Sequence, residues 1–179
     1  MWDLRKRFPV AEIQTELPVT AVSFNDAGDM VFSGSVDNQI TGWDLRNLEP
    51  SMRLQGHTDT ITGIRLSPDG TQMLSNSMDH TVRVWDVKPF SVVPMRMLHV
   101  LTGAPHSMDR NLIRPCWSPS GSQVASGSAD RTVVVWDLVA KKMTYKLPGH
   151  KGTVNQVDWH PREPIRKSSL ELLIKLMCL

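Results

Sequence analysis

The stretch "TVRVWDV" at residues 81–87 returns at residues 132–138 as "TVVVWDL". The chain contains four such tryptophan-aspartate pairs, at Trp2-Asp3, Trp43-Asp44, Trp85-Asp86 and Trp136-Asp137. Their spacings are 41, 42 and 51 residues, and a period of about 40 to 45 residues is typical of a repeat built from four β-strands. The longest interval predicts an insertion within residues 88–110, which hold three prolines and no regular alternation.

The residues before Trp85 and Trp136 alternate between apolar and polar side chains, which predicts strands joined by short turns. The segment 60–86, "TITGIRLSPDGTQMLSNSMDHTVRVWD", shows the pattern clearly. Glycine stands fourth in three turns between a first and a second strand, at 25–28, 67–70 and 118–121. Aspartate begins three turns between a second and a third strand, at Asp37-Asn38, Asp79-His80 and Asp130-Arg131.

On these pairs, turns and the Gly-His pairs at 56–57 and 149–150, the chain resembles the WD40 repeat family of β-propellers. The resemblance implies an all-β fold in which each repeat supplies the four antiparallel strands of a blade. We expect an incomplete propeller at 1–165, with whole blades at about 19–54, 60–101 and 110–147, partial blades at 1–15 and 153–165, and a divergent tail at 166–179. Because a closed ring normally needs four to eight blades, we also expect the chain to be a fragment of one.

The resemblance also implies a hydrogen-bonded structural tetrad, which joins the loop, turn and strands of a blade. In the second blade its members are His57, Ser75, Asp79 and Trp85. Ser, His and Asp are also the residue types of a hydrolase triad, but no G-x-S-x-G elbow accompanies them, so an enzyme is disfavoured. The corresponding residues elsewhere are His106, Ser126, Asp130 and Trp136 in the third blade, and Ser33, Asp37 and Trp43 in the first.

The composition of the 179 residues excludes several other classes of function. A net charge of +2 with 21% charged and 40% hydrophobic residues is typical of a globular protein and names no partner. Two cysteines and six histidines lack metal-ligand spacing, so we expect no metal, no cofactor and no small-molecule substrate. An aromatic content of 6% offers little platform for bases, so any RNA contact should be indirect or weak. No apolar run is long enough to span a membrane.

Within the family, residues 74–90, 111–131 and 145–165 most resemble the WD40 proteins of the spliceosome's U5 small nuclear ribonucleoprotein. That resemblance implies a nuclear, non-catalytic scaffold in pre-mRNA splicing, bound to the large core proteins of the particle. It places possible partner contacts in the short connecting loops, at Thr58, Asp59, Lys151, Thr153, Val36, Met78 and Ala129.

Two other functions stay open from the sequence. A propeller of another pathway, such as a peptide reader or a ubiquitin-ligase adaptor, would share the repeat and differ in its loops. A truncation product without function would also share it.

Overall fold

The computed structural model describes residues 1–107, 109 and 111–160, so the predicted tail at 166–179 and the end of the last partial blade lie outside the described residues. Twelve strands form three four-stranded sheets in this part of the chain, each an antiparallel meander in sequence order. The first sheet contains β1 (Val19–Phe24), β2 (Met30–Ser35), β3 (Ile40–Asp44) and β4 (Glu49–Leu54). The second contains β5 (Ile61–Leu66), β6 (Gln72–Ser77), β7 (Thr81–Asp86) and β8 (Met97–Thr102), and the third β9 (Pro115–Trp117), β10 (Gln123–Gly127), β11 (Thr132–Asp137) and β12 (Lys142–Pro148).

The predicted turns connect the strands as the sequence indicates. Gly28, Gly70 and Gly121 have φ angles of 69° to 72°, which explains why glycine stands at the fourth turn position. In the second turn of each sheet the aspartate carboxylate accepts the N–H two residues further on; Asp79 Oδ1 lies 2.9 Å from Thr81 N. The residue between them, such as His80 with φ 63°, adopts a left-handed conformation.

The three sheets pack side by side through their first strands. Thr20 on β1 donates its hydroxyl to the carbonyl of Ile61 on β5 at 2.5 Å. Thr62, at the equivalent place on β5, donates to the carbonyl of Ile113 at 3.0 Å. The segment after β12 continues the series, because Arg114 N donates to Asn155 O at 2.8 Å and a parallel bridge joins Arg114 to Gln156. The predicted fold class, an all-β, incomplete propeller of three four-stranded antiparallel blades, is confirmed.

The core lies between neighbouring sheets. Trp85 on β7 is fully buried against Phe32 and Ile40 of the first sheet, and Trp136 on β11 is buried against Leu74 and other residues of the second. The second and third blades therefore each contribute the tryptophan of the Trp-Asp pair to the interface with the blade before them.

The first sheet lacks such cover on its other side. Val22 and Phe24 of β1 are about half exposed, at 56% and 51%. Residues 1–15, where the sequence predicts a partial blade, form no strand and make only one isolated bridge, between Trp2 and Pro9.

Candidate functional site

A closed hydrogen-bond network lies beneath the loops of the second sheet. His57, in the connector between β4 and β5, donates from Nδ1 to Asp79 Oδ2 at 2.8 Å and accepts from Ser75 Oγ through Nε2 at 2.7 Å. Ser75 Oγ in turn accepts the indole N–H of Trp85 at 2.8 Å. The four residues that the sequence groups together thus form one chain of bonds across β6, β7, a turn and a connector.

The electrostatics of the network favour a neutral imidazole beside an ionised carboxylate. Burial lowers the pKa of His57 more than the neighbouring Asp79 raises it. Burial acts to raise the pKa of Asp79, but hydrogen bonds from His57 and Thr81 outweigh it and hold that pKa well below its usual range. The carboxylate also accepts the backbone N–H of Thr58 at 3.2 Å, so it fixes the connector as well as the turn.

Gly56 explains why glycine precedes the histidine. Its φ is +154°, and a Cβ at this position would lie 2.7 Å from Arg83 Nη1 and 3.1 Å from Trp85 Cη2. The chain passes so close to the indole that only glycine fits without displacing it.

The third sheet uses the same residue types differently, and the expected network of His106, Ser126, Asp130 and Trp136 is not formed. His106 Nε2 donates to Asn76 Oδ1 of the second sheet at 3.0 Å. Trp136 donates its indole N–H to the carbonyl of Thr102 at 3.0 Å, again in the second sheet. Asp130 instead pairs with Lys146 at 2.6 Å.

Connector length is the physical reason for this correction. His57 stands in a six-residue connector (55–60), whereas His106 stands in one of twelve residues (103–114). The longer connector places the His106 ring against β6 of the preceding sheet, where its backbone N–H also donates to His80 Nδ1 at 2.9 Å. Its own Nδ1 is buried without a hydrogen-bond partner.

Asn76 is a residue that the sequence analysis missed. It lies between Ser75 and Ser77, where the other two blades read Ser-Gly-Ser, at 33–35 and 126–128. A Cβ on Gly34 would lie 2.5 Å from Ile61, and one on Gly127 would lie 1.9 Å from the carbonyl oxygen of Val154, so those blades have no room for a side chain. Asn76 fills the wider space and donates to Ser126 Oγ at 2.9 Å. The break in the Ser-Gly-Ser pattern was the available signal.

The first sheet contains only part of the tetrad. Trp43 donates its indole N–H to Ser33 Oγ at 2.8 Å, as expected. Asp37 caps its own turn by accepting from Gln39 N at 3.0 Å. A cavity of about 350 Å³ lined by Thr15, Ser33, Asp37 and Trp43 occupies the place where the second sheet has its histidine.

The loops that the sequence singles out for partner contacts share one construction. In every sheet the turn between the second and third strands donates a backbone N–H to the segment before the first strand: Val36 to Pro18, Met78 to Thr60 and Ala129 to Pro105, at 2.9 to 3.3 Å. The hydroxyl of the serine just before each turn also donates to a backbone carbonyl of the neighbouring connector. The pairs are Ser35 to Pro18, Ser77 to Asp59 and Ser128 to Pro105, at 2.8 to 3.0 Å. These three serines were missed by the sequence analysis, although each lies two residues before a turn aspartate.

We call these connectors and turns, at one end of the sheets, the upper loop face. Thr58 and Asp59 are exposed there, with Val36 exposed beside the first sheet, whereas Met78 and Ala129 are half-buried. In the last connector Lys151 is exposed and Thr153 half-buried. The structure therefore holds the backbone of the face in place and leaves some of its side chains accessible.

The buried polar groups have the accessibility and protonation expected of structural residues. Ser75 is 0% exposed, and its hydroxyl is engaged by both His57 and Trp85, so no substrate reaches it. Burial raises the pKa of the Cys116 thiol to about 12, which keeps it protonated. In the described part of the chain no cluster of three or more His, Cys, Asp or Glu side chains has the arrangement of a metal site, and no helix there has the length and hydropathy to cross a membrane.

Comparison with known proteins agrees with the repeat. The family profile described as "WD domain, G-beta repeat" matches residues 9–44, 48–86, 97–137 and 141–166. The chain is 48% identical over 165 residues to the U5 small nuclear ribonucleoprotein 40 kDa protein of Mus musculus, and 47% identical to that of Homo sapiens. It is 44% identical over 165 residues to the pre-mRNA-splicing factor cwf17 of Schizosaccharomyces pombe. These alignments cover 92% of the chain and 46% to 48% of each relative, so the chain spans about half the length of the curated relatives it matches.

Proposed function

Because this chain belongs to the WD domain, G-beta repeat family, we propose that it is a rigid, non-catalytic scaffold that binds proteins in the nucleus and works in pre-mRNA splicing. Its proposed partners are the large core proteins of the U5 small nuclear ribonucleoprotein. The relatives named for that particle and for splicing support the setting, since they match 92% of the chain at 44% to 48% identity.

The observation that carries the scaffold function is the repeated tie beneath the upper loop face. Each turn is bonded to the neighbouring connector through one backbone N–H and one serine hydroxyl. A surface that is ordered before binding loses little conformational entropy when a partner docks, which favours recognition by shape.

The same geometry argues against a hydrolase. An activated serine must lie open to substrate beside an oxyanion-binding site, whereas Ser75 is sealed beneath Trp85 and His57. We propose that the Ser-His-Asp set stabilises the blade. The proposed roles of the third-blade residues are to join sheets rather than to close a blade, because His106, Ser126 and Trp136 all bond to groups of the second sheet.

The proposal is tested by recovering small nuclear RNAs with the tagged chain from nuclear extract. We expect U5 small nuclear RNA to be enriched over U1 and U2, measured by quantitative reverse-transcription PCR. Equal recovery of all three RNAs would contradict the proposed particle. A peptide-array screen distinguishes a reader or adaptor of another pathway, because a reader selects a short motif and a scaffold of this kind does not.

A matched pair of charge reversals tests the upper loop face. Asp59→Lys changes an exposed residue on that face, and Asp26→Lys changes an exposed residue in a turn at the opposite end of the first sheet. We expect Asp59→Lys to reduce U5 recovery several-fold and Asp26→Lys to leave it unchanged. The reverse order would place the contact at the other end of the sheets.

A further inference from the structure

The connector between β7 and β8 differs from its two counterparts. The third and fourth strands are joined by four residues in the first sheet (45–48) and by four in the third (138–141). In the second sheet they are joined by ten residues, 87–96, which we call the projecting loop. It lies at the end of the sheets opposite the upper loop face, because successive connections of a meander alternate between the two ends.

The projecting loop is held in one shape from within. The Arg96 guanidinium donates to three main-chain carbonyls of the loop and its base, those of Asp86 at 3.4 Å, Lys88 at 2.5 Å and Pro89 at 3.1 Å. Ser91 Oγ donates to Asp86 Oδ2 at 2.6 Å, and Lys88 N donates to Asp86 Oδ1 at 3.1 Å. The conformation of the projecting loop is therefore fixed by hydrogen bonds within the loop.

Its backbone also stores strain. Met95 and Arg96 are consecutive non-glycine residues with φ of 54° and 57°. Such a conformation costs about 1 kcal/mol or more at each position, and strained backbone of this kind concentrates at functional sites.

The loop displays apolar side chains to solvent. Phe90 and Val92 are each 97% exposed and Met95 is 65% exposed. The hydrogen bonds of Arg96 therefore hold the loop in a shape that exposes these side chains. Burying each of them would be favourable by about 1.5 to 3 kcal/mol.

Charge indicates what covers them. Residues 87–107 contain Lys88 and Arg96 and no acidic residue at all. Lys88 is exposed beside Phe90. Burial lowers the pKa of His99 on β8, and the charge of Lys141 on the neighbouring sheet lowers it further. Lys88 is therefore an exposed cation next to the apolar tip of the loop.

With two cations to one carboxylate, that of Asp86, residues 86–96 have a net charge of +1. We propose that the projecting loop is an anchor that inserts Phe90 and Val92 into an apolar pocket with an acidic rim on a protein partner. The inference rests on the proposed function for the setting, a protein of the U5 particle, and adds the surface and the chemistry of the pocket. Aromatic side chains that enter a dry pocket dominate the binding free energy of many interfaces. Charged side chains around them, here Lys88, favour the correct orientation and raise the association rate.

The test compares two variants in the recovery of U5 small nuclear RNA by the tagged full chain. Phe90→Ser with Val92→Ser removes the anchor, and Val139→Ser changes a residue that is 83% exposed in the corresponding four-residue turn of the third sheet. We expect the double variant to bind about 10- to 100-fold more weakly and Val139→Ser to bind like the parent chain. All three side chains are exposed, so the melting temperatures should agree.

Two further measurements test the chemistry of the pocket. Lys88→Glu should weaken binding several-fold, and the parent chain's binding should weaken with added salt, because an acidic rim is screened. A benzophenone amino acid at position 90 should crosslink to a U5 protein at a peptide that holds apolar residues together with Asp or Glu.

Each other outcome overturns the inference. If the parent chain enriches U5 RNA and the double variant does so equally, the anchor is wrong while the proposed function stands. If the parent chain does not enrich U5 RNA, the proposed function and the anchor are both wrong. Crosslinking to RNA or to a second copy of the chain, or loss of binding to phosphatidylcholine–phosphatidylserine vesicles in the double variant, would assign the loop to a different ligand.

Discussion

The second and third sheets contain the same residue types at the same repeat positions and connect them in different ways. In the second sheet His57, Ser75, Asp79 and Trp85 bond to one another within the blade. In the third sheet the equivalent histidine, serine and tryptophan bond to the second sheet instead. One set closes a blade, and the other fastens two blades together.

The difference shows that the position of a side chain relative to the neighbouring sheet, and not its residue type alone, decides which hydrogen bonds it makes. The connector before the third sheet is twice as long as the one before the second, and Asn76 stands where the other blades have glycine. The longer connector and the larger side chain meet, because Asn76 accepts from His106 and donates to Ser126. The blade-to-blade link therefore depends on two changes in the repeat at once.

The closed network should be the more costly of the two to break. Asp79→Ala removes the acceptor of His57 Nδ1–H and of the Thr58 and Thr81 backbone N–H groups, all in the second sheet. The buried Nδ1–H of His57 left without a partner costs about 1 to 3 kcal/mol, and the lost bonds to the turn and the connector add to it, so we expect the free energy of unfolding to fall by about 3 kcal/mol. Urea unfolding followed by tryptophan fluorescence measures it, and a loss below 1 kcal/mol would contradict the role of the network.

The link between sheets should come next. Asn76→Gly restores the residue found in the other blades and removes the bonds to His106 and Ser126. Because it leaves a polar cavity in a wider interface, we expect a loss of about 2 kcal/mol in the same urea experiment. Gly127→Asn is the mirror change, and it should also destabilise, since a Cβ there would lie 1.9 Å from Val154 O. Stability unchanged in Asn76→Gly would show that the connector alone holds the two sheets.

The sequence predicted the sheets better than the connections between them. Alternation and turn residues predict three four-stranded sheets, which the structure contains as β1 to β12, because both signals are local. The resemblance to the WD40 repeat family adds the members of the second tetrad. The contacts of His106 do not, because they depend on the path of a twelve-residue connector that holds no periodic signal. The predicted insertion at 88–110 in fact lies on both sides of β8, as the projecting loop and this connector.

Acid should weaken the link between sheets before it reaches the carboxylates. Burial, followed by the nearby charge of His80, lowers the pKa of His106 from 6.5 to about 4, while Asp79 and Asp59 act against this. Burial also lowers the pKa of His57. Both histidines bind protons more readily when unfolded, so both contribute less stability in acid. The contribution of His106 is complete above about pH 6.5 and is lost as the pH falls toward 4.

We expect a loss of about 1 kcal/mol between pH 7.5 and 4.5 from His106, since water reaching its connector screens part of the effect. His106→Asn should have lower stability at pH 7.5 and a shallower pH dependence than the parent chain. An equally steep dependence in the variant would assign the acid sensitivity to other groups.

The smallest effect should come from the aspartate that the third sheet leaves outside any closed network. Burial acts to raise the pKa of Asp130, but Lys146, Thr132 and Ser128 outweigh it and lower that pKa to about 2. Its ion pair with Lys146 is nonetheless open to water, with the two side chains 30% and 42% exposed. Exposed pairs of this kind contribute about 0 to 1 kcal/mol.

We therefore expect Asp130→Ala to cost less than 1 kcal/mol, against about 3 kcal/mol for Asp79→Ala, in parallel urea titrations. The two aspartates occupy the same turn position and both accept a backbone N–H two residues on, so that shared bond cancels in the comparison. What remains is the bonds of Asp79 to His57 and to the Thr58 backbone N–H, against the exposed ion pair of Asp130 with Lys146. Equal losses in the two variants would mean that the turn, and not the network behind it, accounts for the stability that this aspartate contributes.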